Sequence, residues 1–214
     1  MLFSGLPFLY YFLPAVLVCY FAAPRKLKNA VLFVFSLIFY GWGEPRYIML
    51  MIVSIVSGFV FALMIEKKQN KKSGLILMWI SVAISLSFLL VFKYADFLIE
   101  NVNQLPGVSL PLFKLSLPIG ISFYTFQIIS YTVDVWRGDT KAQRNIISFG
   151  TYVSLFPQLI AGPIVRYTDI ERELQERKHS VTLAASGIKR FLIGLSKNCL
   201  LYTSDAADDL IGVD

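Results

Sequence analysis

Five residues between positions 120 and 134 have the types and spacing of a polar helix face within an apolar segment. Gly120, Tyr124, Gln127, Tyr131 and Asp134 are spaced 4, 3, 4 and 3 residues apart, so they share one side of an α-helix. Two interpretations are open. The face either joins two membrane helices through hydrogen bonds or forms a wall of a polar funnel for a substrate. Both interpretations require the face to point toward protein rather than lipid.

Asp134 could take part in an ion pair, and Arg166 could bind a ligand. Asp134 lies beside Trp136 and Arg137, and an ion pair with a neighbouring arginine makes a carboxylate near the membrane surface inexpensive. Arg166 has two open roles. It could bind a phosphate-bearing ligand bidentately, or it could be a topology-setting charge that extends to the membrane surface.

The composition excludes a water-soluble protein. Of the 214 residues, 56% are hydrophobic and only 16% are charged, whereas soluble domains carry about 25% charged residues. The apolar residues occur in long blocks, so we expect the partner of this surface to be a lipid bilayer. Soluble enzymes, disordered chains and disulfide-stabilised secreted modules are therefore excluded. The excess of basic residues is dispersed between the apolar blocks, which indicates membrane topology signals and no nucleic-acid partner.

The other chemically versatile residues form no site. Cys19 and Cys199 lie in apolar stretches without metal-ligand spacing. His179 is the one histidine of the sequence, and its neighbour Lys178 provides no general-base arrangement. We therefore expect no metal, no bound cofactor and no catalytic residue within this chain.

The apolar blocks predict an all-α, polytopic transmembrane fold with about five spans. A hydrocarbon core of about 30 Å requires roughly 20 apolar residues in a helix. The predicted spans cover residues 6–21, 30–40, 47–65, 75–92 and 115–135, with a loop or interfacial connection at 93–114. Loops rich in Lys and Arg alternate with poorer ones, which predicts a multi-pass protein with its N-terminus outside the cytoplasm.

A sixth apolar segment, residues 146–161, breaks the alternation of charge. The chain beyond it should lie outside, yet it is strongly basic. A segment that enters the membrane and returns without crossing removes the conflict, and such a segment must be enclosed by protein or by a water-filled cavity. The residues that interrupt helical structure or bring polarity there are Pro157, Gln158, Gly162 and Pro163.

Three motifs in this region resemble the membrane-bound O-acyltransferase family. They are LPIGISFYTFQ at 117–127, DVWRG at 134–138 and FPQLIAGPIVR at 156–166, and the FYGW corner at 39–42 is similar too. The resemblance is strongest to the bacterial branch that O-acetylates alginate and related polysaccharides. It covers residues 1–197, which we take as the N-terminal part of a membrane O-acyltransferase domain.

The resemblance implies a many-helix protein of the bacterial inner membrane in which funnels from the two faces meet. An acyl group, expected to be acetyl from acetyl-CoA or another activated donor, would pass from the cytoplasmic side to hydroxyls of an exported polysaccharide such as alginate. A periplasmic acetyltransferase partner is also expected. The candidate residues for the cavity or donor path are Tyr124, Gln127, Asp134 and Arg166. A membrane transporter or flippase, or a non-catalytic scaffold of a polysaccharide-modification complex, is the alternative.

Family members use a histidine in a later membrane segment as the general base, and His179 matches no such motif. We therefore expect this chain to be an inactive fragment of an enzyme about twice as long. Residues 198–214 resemble translated adapter sequence more than a native tail, so the native part is expected to end near residue 197.

The reading frame of the natural gene is expected to continue past codon 197 into an apolar segment that contains a histidine. Sequencing of the genomic locus tests this expectation directly. An apolar continuation without histidine would favour the scaffold, and a genuine stop codon after Asp214 would contradict the fragment interpretation.

Overall fold

The computed structural model describes residues 5–69, 72–103, 111, 117–159, 165–177 and 180–211, with side chains except at 175 and 198–211. Every regular element in these ranges is helical, which confirms the predicted all-α fold. A π-helical turn (Phe8–Phe12) leads into α1, and short 3-10 turns (Arg25–Leu27 and Pro45–Tyr47) precede α2 and α3. The α-helices are α1 (Leu13–Ala22), α2 (Lys28–Gly43), α3 (Ile48–Lys67), α4 (Lys72–Val102), α5 (Ile121–Arg137), α6 (Ile146–Ser154), α7 (Phe156–Leu159), α8 (Tyr167–Gln175) and α9 (Val181–Ile211).

Each of the five predicted spans contains a helix, but the helices differ in length. Two helical segments, Pro45–Lys67 and Lys72–Val102, are long and apolar enough to cross a membrane, and Phe8–Ala22 is a shorter apolar helix. At 1.5 Å per residue, the 17 residues of α5 extend about 26 Å. Glycines with positive φ bound this helix at both ends, Gly120 and Gly138.

Helix α5 lies in the centre of the bundle and packs against α3 and α4, whereas α6 packs against α2 and α3. Glycines permit these close approaches. A Cβ atom on Gly58 of α3 would lie 2.7 Å from Cγ2 of Ile128 on α5. A Cβ atom on Gly150 of α6 would lie 2.6 Å from Cε2 of Phe33 on α2. Small residues at helix contacts are typical of membrane bundles, where close packing replaces the hydrophobic effect.

One end of the bundle holds most of the basic loops together, and we refer to it as the basic end. Its segments are 25–29, 66–69, 137–145 and α8. Both carboxylate oxygens of Glu66 are used there, because Oε1 accepts a hydrogen bond from the Ala142 amide (3.1 Å) and Oε2 pairs with Arg144. Gln69 adds a bond from Nε2 to the Val135 carbonyl (3.3 Å). The α3–α4 turn is thereby joined to the α5–α6 loop.

Asn29 of α2 joins this helix to α6 and to the end of α8 at the basic end. Its Nδ2 donates to Ser148 Oγ of α6 (2.9 Å) and to the Leu174 carbonyl of α8 (3.1 Å). Its Oδ1 accepts from Nη2 of Arg177 (2.6 Å), and its carbonyl accepts from Thr151 Oγ1 (2.9 Å). The start of α2, the start of α6 and the end of α8 therefore lie at the same end of the bundle.

The segment from α6 to α8 has the geometry of a re-entrant segment. Helix α6 begins at the basic end, capped by Asn145, whose side chain accepts from the amides of Ile147 and Ser148. Its nine residues extend only about 14 Å. Tyr152 on α6 donates a hydrogen bond to the carbonyl of Val165 (3.0 Å), so the chain has returned alongside α6 before α8 begins. Both ends of the segment therefore lie at the basic end.

Pro157 explains why α6 stops at Ser154. A continuous helix would place the proline ring against the carbonyl four residues earlier and would lack one amide donor. Leu155 instead adopts an extended ψ of 113°, and the short α7 follows. The amide of Phe156 at this break donates to Oγ of the buried Ser36 on α2 (3.4 Å).

Two boundaries differ from the sequence expectation, and a third is not tested. Helix α4 continues to Val102 rather than ending near residue 92, because residues 93–102 contain no proline or glycine to stop it. Helix α5 begins at Ile121 rather than at 115, because Gly120 adopts a left-handed conformation (φ 76°). Helix α9 runs through residues 197 and 198 without a break, so the expected boundary of the native part stays a prediction.

Replacing Gly120 with alanine is expected to destabilise the bundle strongly. The left-handed conformation costs a non-glycine residue about 1–2 kcal/mol, and the new Cβ would lie 2.8 Å from the Leu159 carbonyl oxygen, a backbone atom that cannot rotate away. Thermal unfolding in detergent or nanodiscs measures the effect.

Gly194→Ala is the matched control, because nothing lies within 4 Å of the position of its Cβ atom. It should leave the unfolding temperature unchanged or slightly higher. Equal effects of the two substitutions would contradict the close contact between the start of α5 and the end of α7.

Candidate functional site

The polar face predicted on α5 is buried against protein, as both interpretations of it require. Tyr124 and Tyr131 have no exposed surface, and Gln127 and Asp134 are 3% and 2% exposed. Phe126, by contrast, is 43% exposed on the outer side of the helix. The pattern of spacings 4 and 3 therefore identified the interior side of this helix from sequence alone.

Gln127 connects this face to the re-entrant segment. Its Nε2 donates to Oε1 of Gln158 on α7 at 3.2 Å. At the start of α5, the Leu159 carbonyl oxygen lies close to the position that a Cβ atom on residue 120 would occupy. The structure thus brings together the motifs at 117–127 and 156–166, which are separated by about thirty residues in sequence. Pro157 itself is exposed, and its effect is to interrupt the helix between α6 and α7.

Tyr124 faces Tyr40 of α2, part of the FYGW corner. The two side chains are close enough to interact electrostatically, and Tyr40 is 5% exposed. No described group outside this pair hydrogen-bonds to either hydroxyl. The pair is therefore a buried polar contact between α2 and α5.

Asp134 is a polar group left incomplete. Its carboxylate is buried, and Oδ2 has no hydrogen-bond partner. Arg137, expected to pair with it, is exposed and forms no ion pair with it. Among the surrounding charges, Arg166 exerts the strongest attraction on Asp134, ahead of Arg137. The motif at 134–138 therefore meets the end of the motif at 156–166.

Three buried tyrosines contact one another at the basic end, and one of them, Tyr152, is close enough to Asp134 to be influenced by its charge. Tyr131, Tyr152 and Tyr167 have no exposed surface, and their rings contact one another, with centroid distances of 4.9 Å between Tyr131 and Tyr167 and 5.3 Å between Tyr152 and Tyr167. Gln143 donates to two of them, from its amide to Tyr131 Oη (2.7 Å) and from Nε2 to Tyr167 Oη (2.8 Å). Burial raises the pKa of Tyr167, which begins α8, to about 12, so its hydroxyl is protonated at neutral pH.

Arg166 itself is exposed at the start of α8. Its guanidinium is accessible from the aqueous side while its charge acts on the buried Asp134. This position is compatible with both roles left open by the sequence, because an exposed arginine can bind an anionic ligand or extend to the membrane surface.

The structure adds functional candidates that the sequence did not identify. Tyr40, Tyr152, Tyr167 and Gln143 lie on elements other than α5, and only tertiary packing places them against its polar face. The one sequence signal was the resemblance at 39–42, which includes Tyr40. Two predicted residues, Gly162 and Pro163, lie outside the described residues, as does His179.

No metal centre is found in the described part of the chain. No three His, Cys, Asp or Glu side chains there are grouped as metal ligands.

Comparison with known proteins finds relatives that are all named as O-acetylation proteins. The chain is 36% identical to the probable alginate O-acetylase AlgI of Pseudomonas aeruginosa over 97% of its own length, which is 41% of that protein. It is also 36% identical to the AlgI protein of Azotobacter vinelandii, over 95% of the chain and 42% of that protein. A peptidoglycan O-acetyltransferase of Helicobacter pylori is 27% identical over 96% of the chain and 45% of its own length.

The chain thus spans about two fifths of the length of the curated relatives it matches. No family model matches it, and no solved structure matches it. The similarity to the bacterial polysaccharide O-acetylation proteins, indicated by the motifs between 117 and 166, is confirmed. This chain is similar to the alginate O-acetylases over nearly all of its length.

Proposed function

We propose that this chain is part of a bacterial membrane O-acetyltransferase that modifies a polysaccharide. The complete protein would take an acetyl group from an activated cytoplasmic donor, such as acetyl-CoA, and deliver it to hydroxyls of an exported polymer such as alginate. It would lie in the inner membrane and work with a periplasmic acetyltransferase partner. This chain would supply the early helices, the re-entrant segment and part of the donor path.

The agreement among the relatives' names carries the proposal. The names alginate O-acetylase and peptidoglycan O-acetyltransferase both specify an acetyl group and an oxygen of a carbohydrate-containing polymer. The acceptors differ, whereas the bond formed is the same. A membrane location is supported by the apolar helices Pro45–Lys67 and Lys72–Val102. The shared chemistry is therefore ester formation on a polymer hydroxyl.

The transfer requires a hydroxyl oxygen to attack the carbonyl carbon of an acyl donor. For a thioester donor, the C–O bond forms, the C–S bond breaks, and the hydroxyl proton passes through a general base to the departing thiolate. The resemblance places that base on a histidine of a later segment. With the base on a later segment, the contribution of this chain would be to bind and to position.

The re-entrant segment supports that contribution. It begins and ends at the basic end, and α7 reaches the polar face of α5 through Gln158. A segment that does not cross leaves the membrane interior locally thin, so a donor from one side and an acceptor from the other would have less distance to cover. The exposed Arg166 at its return point provides a cation for a phosphate-bearing donor.

Arg166→Ala is expected to lower acetyl transfer in the complete protein, with the Michaelis constant for the donor rising more than the turnover number falls. The physical reason is the loss of a cation that would hold donor phosphate outside the reacting centre. Acetylation of the exported polymer, quantified at matched protein levels, measures the effect.

Arg172→Ala is the control, because Arg172 is also an exposed arginine and lies in α8 outside the motif. Unchanged polymer acetylation with Arg166→Ala, at normal protein levels, would discard a role for Arg166 in the donor path. Loss of acetylation with both variants would point to a general effect of charge on α8.

The pair Gln127 and Gln158 is expected to show strong coupling. Gln158→Leu leaves the buried amide of Gln127 without its partner, at a cost of about 1–3 kcal/mol. The double variant Gln127→Leu, Gln158→Leu removes both amides and should recover part of that stability.

Thermal unfolding of the wild type, both single variants and the double variant forms a complete cycle. Acetylation should follow the same order if the pair positions the re-entrant segment. Additive effects of the two substitutions would show that the two amides act independently.

A further inference from the structure

Two cations from different segments meet at one tyrosine ring at the basic end. Nζ of Lys28, at the start of α2, lies 4.8 Å from the centroid of the Tyr20 ring on α1. Cζ of Arg177, which follows α8, lies 5.5 Å from the same centroid, and its Nη1 donates a hydrogen bond to Tyr20 Oη (3.3 Å). An aromatic ring attracts cations, so Tyr20 holds two positive charges close together.

Few carboxylates are available to neutralise this part of the basic end. The first 43 residues of the sequence contain no Asp or Glu, and the turn before α2 adds the exposed cations Arg25 and Lys26. Among the described residues, no ion pair joins Arg25, Lys26 or Arg177 to a carboxylate. We refer to Arg25, Lys26, Lys28 and Arg177 as the cation cluster.

Arg177 also keeps hydrogen-bonding capacity. It donates to three neutral acceptors: the Glu173 carbonyl, Tyr20 Oη and Asn29 Oδ1. A guanidinium has five N–H groups, so two of them have no acceptor among the described residues. The side chain is half-buried, and these contacts hold it in place. A fixed guanidinium with two available donors suits a phosphate group.

An apolar groove begins next to the cation cluster. It lies between α1, the break before α7 and α9, and its volume is about 330 Å³. Its lining includes Phe8, Leu17, Phe156, Ile188 and Phe191. Leu17 is three residues from Tyr20, which is less than one helical turn. Leu17 and Ile188 are 46% and 61% exposed, so the groove is open to the surroundings of the bundle.

The dimensions of the groove fit a hydrocarbon chain better than a helix. Between Leu17 and Phe8 it follows nine residues of helical chain, or about 14 Å. Its mean cross-section over that length is about 24 Å². A helix with its side chains is about 10–12 Å across, which corresponds to a cross-section of about 80 Å² or more. A single chain of methylene groups is thinner than a helix.

We propose that the cation cluster and the apolar groove together bind one anionic phospholipid. Its phosphate would lie at Lys28 and Arg177, and one acyl chain would lie along α1. Basic side chains at helix ends lie at the level of lipid headgroups, and clustered cations attract anionic lipids. The cations lie at the end of the bundle and the apolar lining lies deeper, which is the order of headgroup and chain in a leaflet.

The groove reaches Phe156 at the break of the re-entrant segment. The bound lipid would therefore stabilise that break from the membrane side. The inference concerns the lipid-facing surface of the bundle and does not depend on the acetyl transfer proposed above.

Photo-crosslinking of the complete protein tests the inference. The protein is placed in phosphatidylcholine nanodiscs that contain a trace of phosphatidylglycerol with a diazirine in its acyl chain. Phosphatidylcholine with the same diazirine chain is the matched probe without net charge. Mass spectrometry of the peptides then locates the labelled residues.

Peptides that contain Leu17 and Phe191 are expected to be labelled several-fold more by the anionic probe than by the zwitterionic one. Trp79 on α4, which is 62% exposed, lies outside the groove and should be labelled equally by both probes. Equal labelling of the groove by the two probes would overturn the inference. Absence of labelling in the groove would show that another part of the protein covers it, and would overturn the inference too.

Removal of cations tests the headgroup contact. The double variant Arg25→Ala, Lys26→Ala changes exposed side chains and should lower the preference for the anionic probe by about fivefold for each cation removed. Lys67→Ala, Lys68→Ala is the matched control, because it removes two exposed cations at the basic end away from α1. An equal loss with both double variants would reflect net charge alone and would contradict a specific site.

Filling the groove tests the acyl-chain contact without a change of charge. Gly187 lines the groove, and nothing lies within 4 Å of the position of its Cβ atom, so Gly187→Leu should lower labelling by the anionic probe. Gly194 on the same helix also has open space at this position and does not line the groove. Gly194→Leu should therefore leave labelling unchanged. Unchanged labelling with Gly187→Leu would show that the acyl chain does not occupy the groove.

Discussion

A broken helix inside the bundle imposes the main constraint on this structure. Hydrocarbon offers no partner for a free amide or carbonyl, so irregular backbone is tolerated only where protein or enclosed water completes it. The break between α6 and α7 meets that requirement with side chains from its neighbours. Ser36 accepts from the Phe156 amide, and Tyr152 donates to the Val165 carbonyl on the returning chain. The surrounding helices α2, α3 and α5 must therefore enclose the segment.

Enclosure requires close packing and fixed ends. Gly58 lets α3 approach α5, and Gly150 lets α6 approach α2, to distances that a methyl group would prevent. At the basic end, Asn29 binds α6 and α8 together with Arg177, and Glu66 holds the loop before α6. These contacts fix the entry and the return of the segment at the same end of the bundle. Short hydrogen bonds at the surface thus determine how a segment in the interior is placed.

Helical periodicity and the distribution of charge along the sequence predicted two parts of this arrangement. The spacing of Gly120, Tyr124, Gln127, Tyr131 and Asp134 identified the buried side of α5, and the basic residues after position 161 indicated a segment that returns. The partners of that face could not be predicted, because Tyr40 and Tyr152 come from distant segments and have no signal of their own. The pairing of Asp134 with Arg137 was wrong for a similar reason. Spacing along a helix permits that pair, but packing turns Asp134 inward and leaves Arg137 exposed.

The buried position of Asp134 favours a functional rather than a structural role for the face. A buried carboxylate loses its hydration, and the attraction of an exposed arginine recovers only part of that loss. An apolar residue of similar size would stabilise the contact of α5 with its neighbours better. The buried hydroxyls of Tyr40 and Tyr124 add two further polar groups to the contacts of α5. The interior of this bundle therefore holds polar groups next to the re-entrant segment, at positions where apolar residues would pack more stably.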